Sequence, residues 1–314
     1  MRDLSPHRWT CPATILVATD LSDLDHLMPF AIEQASETGA RLILLHVLSS
    51  SHAITADAAG MPYYDTAGAL EVAEQMLQPW CELAHRRGIC CDALAREGHP
   101  MEQVAAALRQ FHADRVLLST RSRSKIGKLL IGSVAEQVLR SAYLPVITVG
   151  PEAHLPVGKD KEPVVLHATT LRETSRPSAA LACQIAASQN ARLILLHVLP
   201  SVVEMQRKGL PTGMDSSAMH ELQQLADETS GGCCSTIESV VAHGNPSIEI
   251  LALAAERHAG LIVLGSTHRS AFQNLTRDRT VCRVLAHARC PVLTLREPQC
   301  MHEEARAEAI AIHQ

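Results

Sequence analysis

The sequence predicts an α/β protein made of two copies of a doubly wound parallel sheet. Three observations carry this. The stretch ARLILLHVL at Ala40–Leu48 recurs, letter for letter, at Ala191–Leu199, and an internal repeat sets the architecture of the whole chain. Each copy is a short unbroken apolar run, with neither the length of a membrane span nor the alternation of a half-exposed strand. It reads as a strand buried on both faces of a parallel sheet. Such runs alternate with helical patterns along the chain, the mark of an α/β fold, and right-handed crossovers then place helices on both faces. The 314 residues leave room for two domains of about 100–200 residues each.

In the first half, Thr14–Thr19 is an apolar run that ends in Asp20 and reads as the first strand. Ser22 with Asp25 three residues later has the form of a capping box. The helix it opens runs to about Thr38 and is closed by Gly39. The repeated strand follows. Residues 49–66 form a polar excursion containing Gly and Pro, and a helix covers about Ala67–Arg87, ending at Gly88. Cys90–Arg96 is the third strand, and Gly98-His99-Pro100 opens a helix to about His112. Arg115–Ser119 is the fourth strand. A polar, basic loop spans Thr120–Gly132, then Ser133 and Glu136 form a second capping box for a helix to about Ser141, and Pro145–Val149 is the fifth strand.

The second half repeats these parts. Pro163–Thr169 matches the first strand, Gly244-Asn245-Pro246 matches Gly98-His99-Pro100, Leu261–Gly265 the fourth strand and Pro291–Leu295 the fifth. The expected division is residues 1–150 for the first domain, 151–162 for a linker, 163–296 for the second domain and 297–314 for a tail of helical composition.

Composition narrows the partners. Apolar residues make up 46 % of the chain and aromatics only 3 %, so the cores are built from Leu, Ile, Val and Ala. The net charge of −5 argues against nucleic acid as the main partner. The N-terminus lacks the apolar core of a signal peptide, and no apolar run approaches the about 20 residues of a spanning helix. A soluble, cytoplasmic protein with no membrane partner is expected. The ten cysteines read as reduced thiols. Cys81 and His85, four apart on a predicted helix, would share a face. There is no C-x-x-C and no ligand quartet, so no structural metal is expected.

This order of parts resembles the universal stress protein family in its tandem two-domain form, from about Thr14 to Leu295. The family's first strand ends in an Asp, as at Asp20, and its last strand begins Pro-Val, as at Pro145-Val146 and Pro291-Val292. Its fourth strand enters a loop of pattern G-x2-G-x9-G-[ST]. Here that loop reads Ser119-x2-Ser122-x9-Gly132-Ser133. The resemblance implies the adenine-nucleotide alpha-hydrolase-like fold with strand order 3-2-1-4-5. The winding then reverses between the first and fourth strands, where ligands of such sheets bind.

Some members of the family bind ATP and others do not. The resemblance implies a nucleotide site in the first domain made of Thr19, Asp20, Val47, Ser119, Ser122, Arg123, Gly132 and Ser133, holding ATP with Mg²⁺. Asp20 would meet the nucleoside and the Val47 main chain the adenine. Gly132 and Ser133 would hold phosphate at a helix N-terminus. Both early glycines of the loop are replaced by Ser119 and Ser122, whose hydroxyls can donate instead. Arg121, Arg123, Lys125 and Lys128 either face phosphate or form a solvated loop. The second domain departs further. Thr170 stands for Asp20, and its loop reads Gly265-x2-His268-x9-Asp278-Arg279. A carboxylate at Asp278 caps the helix and repels phosphate. That half is expected to bind no ATP and to serve as a pseudo-symmetric partner within the chain; a homodimer and an unidentified protein partner are compatible with the same reading. The expected role is a stress-response regulator and not an enzyme, with slow ATP hydrolysis left open. The alternative is a protein that binds no nucleotide and acts as an interaction module, or holds an apolar ligand between the excursions 49–66 and 200–214.

Overall fold

The computed structural model describes residues 9–49, 54–56, 62–120, 132–155, 162–207, 211, 213–230, 236–266 and 279–296. Two compact units divide the chain, Met1–Leu155 with Leu285–Pro291 and Pro156–Val284 with Val292–Gln314.

In the first unit the core strands are β1 (Thr14–Thr19), β2 (Arg41–Leu48), β5 (Cys91–Glu97), β6 (Arg115–Ser119) and β7 (Val146–Val149). They are parallel and ordered β5-β2-β1-β6-β7. Counted as five core strands, this is 3-2-1-4-5, as the resemblance implied. The helices are α1 (Leu24–Thr38), α2 (Thr66–Arg86), α3 (Pro100–Gln110) and α4 (Ser133–Ser141). Leu42, Ile43 and Leu44 of β2 are fully buried, because a central parallel strand is covered by helices on both faces. The polar excursion 49–66 holds a short antiparallel hairpin, β3 (Ile54–Ala56) with β4 (Pro62–Tyr64).

The second unit has β8 (Val164–Ala168), β9 (Arg192–Leu199), β10 (Ile237–His243), β11 (Leu261–Ser266) and β12 (Val292–Arg296), all parallel in the order β10-β9-β8-β11-β12. Its helices are α5 (Arg176–Ser188), α6 (Val202–Arg207), α7 (Met214–Ser230), α8 (Pro246–Glu256) and α9 (Arg279–His287). The short helix α6 lies in the second excursion. Among the described residues no helix is long and apolar enough to cross a membrane. The tail 297–314 and the centre of the linker lie outside the described residues.

Helix C-termini follow the sequence signals. Gly39 closes α1 at φ 71° and donates its amide to the Ala35 carbonyl oxygen at 2.9 Å. Asn190 takes the same left-handed place after α5 at φ 49°. At the N-termini, α3 and α8 begin at Pro100 and Pro246 as their Gly-x-Pro signals imply, but the two capping boxes do not hold. Ser22 is not the N-cap of α1, because its amide and hydroxyl both donate to Asp20 Oδ1, at 2.9 and 2.6 Å. The helix starts after Asp23, whose carboxylate caps no helix N–H. Nor does Ser133 cap α4: Gly132 is the N-cap, and Ser133 is already the first helical residue.

The amino end of β1 is held by a residue 100 positions away. Asp114 Oδ2 accepts from the amides of Ala13 at 2.9 Å and Thr14 at 3.3 Å. The adjacent Arg115 is buried and donates to Gln34 Oε1 and the Trp9 carbonyl oxygen; burial draws its pKa down to about 10. Asp114→Ala leaves two backbone N–H groups without this acceptor, and a buried unsatisfied group costs about 1–3 kcal/mol. We expect the urea midpoint of the first unit to fall accordingly. An unchanged midpoint would show that water or a neighbour takes over both amides.

Candidate functional site

A cavity of about 290 Å³ opens at the carboxyl ends of β1, β2 and β6. This is the place where the winding reverses, and a crevice opens there outside the carboxyl ends of the strands. Six residues named from the sequence meet in it: Thr19, Asp20, Val47, Ser119, Gly132 and Ser133. They come from four separate stretches of chain. Ser122 and Arg123 lie outside the described residues.

The floor is built after β1. Leu21 adopts φ 72° and donates its amide to Thr19 Oγ1 at 2.9 Å. A left-handed leucine is uncommon, and this turn sends the chain sharply from strand to helix. Thr19 Oγ1 in turn donates to Asp23 Oδ1 at 2.6 Å. Asp23, not foreseen from the sequence, is almost fully buried and lines the cavity. Burial raises its pKa most, the Thr19 hydroxyl lowers it, the charge of Asp20 raises it, and the Ser119 hydroxyl lowers it again. Ser119, expected to face phosphate, is thus engaged with a carboxylate.

A raised pKa means the fold disfavours the ionised acid. The stabilising share is fully present below the unfolded value of 3.8 and is lost as pH rises through the higher folded value. Asp23→Asn keeps an acceptor for Thr19 and removes the buried charge. Its urea midpoint at pH 7 is expected to equal or exceed that of the parent. A marked fall would show that the charge itself holds the turn together.

His46, near the carboxyl end of the repeated strand, also lines the cavity. Its Nδ1 lies 3.0 Å from the Thr19 carbonyl oxygen. That oxygen can only accept, so Nδ1 carries the proton. The far wall is the amino end of α4. Gly132, at φ −55° and ψ 144°, has no side chain to cap the helix. Among the described residues, a Cβ built on it would meet nothing within 4 Å. The first-turn N–H groups of α4, which line the cavity, carry a partial positive charge there.

The second unit repeats the framework with different chemistry. Leu171 is left-handed at φ 60° and donates to Thr169 Oγ1 at 3.1 Å, and His197 Nδ1 lies 2.9 Å from the Thr169 carbonyl oxygen. At the place of Asp20 stands Thr170, whose hydroxyl is 2.9 Å from Ser175 Oγ. His268 and Asp278 lie outside the described residues. Among the described residues no group of three or more His, Cys, Asp or Glu is placed to hold a metal ion.

The model of the universal stress protein family matches residues 13–150 and again 164–296. Universal stress protein MJ0531 of Methanocaldococcus jannaschii is 26 % identical over 136 residues, covering 43 % of this chain and 80 % of that protein. A universal stress protein of Thermus aquaticus, named for its place in the QAH/OAS sulfhydrylase 3′ region, is 31 % identical over 140 residues, covering 43 % of this chain and 97 % of its own length. The crystal structure of a universal stress protein from Archaeoglobus fulgidus shares the fold with a TM-score of 0.67 at 18 % identity, over 90 % of this chain and 98 % of the other. With the family's domain matched twice over most of its length, the chain belongs to the universal stress protein family, in tandem form.

Proposed function

We propose that this protein is a cytoplasmic stress-response regulator that binds one adenine nucleotide, ATP with Mg²⁺, in its first unit only. The observation that carries the reading is the cavity at the strand ends, where Asp20, Val47, Gly132 and Ser133 converge from distant stretches. The residues fit the ligand at both ends. The open amino end of α4 suits phosphate oxygens, since helix N–H groups and the dipole favour anions. The acids of the floor suit the hydroxyl donors of a ribose and would repel phosphate, which orients the nucleotide. His46 and Val47 offer an edge for the base. Bound ATP would act as a signal read by a protein partner, and any hydrolysis would be slow.

A second reading has its own support. Ser119 stands where the loop pattern has its first glycine and is turned to Asp23, so both loop and floor have moved away from phosphate binding. On this reading the cavity takes no nucleotide and the protein is an interaction module. Equilibrium dialysis with labelled ATP and Mg²⁺ separates the two. One ATP per chain is expected. Two per chain would place a site in the second unit as well, and none at millimolar ATP would leave the interaction module.

A further inference from the structure

The helix α2 buries one stripe, Ala73, Leu77, Cys81 and Ala84, and α2 packs against β5. At the first residue of that strand stands Cys91. The two sulfurs, Cys81 Sγ and Cys91 Sγ, are 2.8 Å apart, less than an ångström beyond a disulfide bond of about 2.0 Å. Both thiols are buried, at 1 % and 5 % exposure.

Regular structure holds both partners in place. Between them the chain makes a tight turn: Gly88 donates to the His85 carbonyl oxygen at 2.9 Å and Ile89 to that of Ala84 at 3.0 Å. The Cys91 amide donates to His85 Nε2 at 3.2 Å. His85 therefore clamps the start of β5 against the last turn of α2. The earlier spacing of Cys81 and His85 on one helix face has this positional meaning; among the described residues the two belong to no group of three or more His, Cys, Asp or Glu placed to hold a metal ion.

The fold itself does not call for a thiol here. Cys91 pairs with Leu42 of the repeated strand, and in the second unit the residue paired with the corresponding Leu193 is Ile237. A plain hydrocarbon serves the same place in the second copy.

We propose that Cys81 and Cys91 form a reversible disulfide, an oxidation site for small hydroperoxides that ties α2 to β5 in the first unit. Either sulfur can donate the hydrogen bond between them; with Cys91 as the donor, that bond draws the Cys81 thiol down against the opposing effects of burial and Asp92, and Cys81 is then the attacking sulfur. The Cys91 thiol is pushed up by that same hydrogen bond and by burial, and stays protonated. The Cys81 thiolate attacks the peroxide; the O–O bond breaks, one oxygen stays on sulfur as a sulfenic acid, and the other leaves as water or an alcohol after taking a proton. The Cys91 sulfur then attacks the sulfenic sulfur. The S–S bond forms, and the displaced hydroxide leaves as water with the Cys91 proton. Two thiols are oxidised by two electrons and the peroxide is reduced by two. A dithiol reverses the step by exchange.

The test uses the full chain, reduced and then treated with hydrogen peroxide until the exposed Cys90 and Cys11 are oxidised. The reaction is quenched by alkylation and mapped without reduction. We expect the Cys81 and Cys91 peptides to be joined and lighter by two hydrogen atoms. Dithiothreitol should return two alkylatable thiols. The link should persist in Cys90→Ser, which removes the neighbouring thiol, and vanish in Cys81→Ala. Free, alkylated Cys81 and Cys91 in wild-type protein whose Cys90 and Cys11 are oxidised would overturn the proposal, and so would a link from Cys81 that is lost in Cys90→Ser. The pair lies at the amino end of β5 and the cavity at the strands' carboxyl ends, so the outcome is independent of nucleotide binding.

Discussion

Replacing Gly132 with Asp is expected to weaken ATP binding by well over tenfold while the protein stays folded. The two halves of this expectation rest on separate observations. Gly132 is the N-cap of α4, with backbone angles that any residue adopts. A Cβ there meets nothing within 4 Å among the described residues. Asp is among the preferred N-cap residues, a few tenths of a kcal/mol better than Gly, so the helix should be as stable or slightly more so. For the ligand the change is severe. It sets a full negative charge where phosphate would approach the helix. Two unit charges about 4 Å apart repel by about 4 kcal/mol at an effective dielectric of about 20. Counterions and rearrangement reduce this, yet each 1.4 kcal/mol is about tenfold in affinity. The substitution also copies Asp278, the residue at this place in the second half of the sequence. Calorimetry on the folded variant decides the matter. Unchanged affinity would remove the amino end of α4 from the site. The reverse change, Asp278→Gly, should create no second site, since Thr170 and His268 still depart from the pattern.

Acid should weaken the second unit through His167, and His167→Val should remove much of that sensitivity. His167 is fully buried on β8. Its Nδ1 donates to the Val263 carbonyl oxygen at 3.0 Å, and its Nε2 has no hydrogen-bond partner among the described residues. Burial lowers its pKa from 6.5 to about 4, with the Val263 bond acting the other way. The unfolded chain therefore takes up a proton near pH 6.5, while the folded unit resists until about pH 4. Stability from this group is complete above pH 6.5 and is lost progressively as pH falls toward 4. At 1.36 kcal/mol per pKa unit the loss is about 3 kcal/mol. The register shows what fits instead. His167 pairs with Leu195, and Val17 pairs with the corresponding Leu44 in the first unit. Val at this place gives up one hydrogen bond and also a buried nitrogen without a partner, changes that nearly offset each other. Urea unfolding at pH 7 and pH 4.5 should give a second-unit transition that drops in the parent and moves much less in the variant. Equal drops in both would place the acid sensitivity elsewhere.

Much of the fold was legible because its signals are short-range. Strands buried on both faces must be apolar throughout, and Leu42–Leu45 and Leu193–Leu196 are. Helix ends at Gly39 and Gly88 were legible because left-handed backbone favours glycine. The capping boxes at Ser22 and Ser133 misled for a physical reason. Serine and aspartate bond to many backbone and side-chain partners at similar cost, and Asp20 competes successfully for Ser22. Nothing in the local sequence sets Asp23 apart from Asp20 and Asp25. Only packing against Thr19 and Ser119 makes it a buried group of the cavity. His46 carries a signal of its own: a polar side chain inside a buried strand must find a partner, and in the two copies it meets the carbonyl oxygen of Thr19, the last residue of β1, and of Thr169, just after β8.

The duplication, the sequence of strands and helices and the apolar composition of both cores follow from local patterns and could be read residue by residue. Meetings across the chain could not. Asp114 reaches back to Ala13 and Thr14, Cys81 comes to rest on Cys91, and Asp20, Val47, Ser119 and Gly132 converge on one cavity. Periodicity specifies which face of an element is buried but not which element will cover it. That is settled when the right-handed crossovers close and the sheet brings the ends of β1, β2 and β6 side by side. The contacts that give the cavity its chemistry form only there, because their energy depends on burial and on partners supplied by other segments.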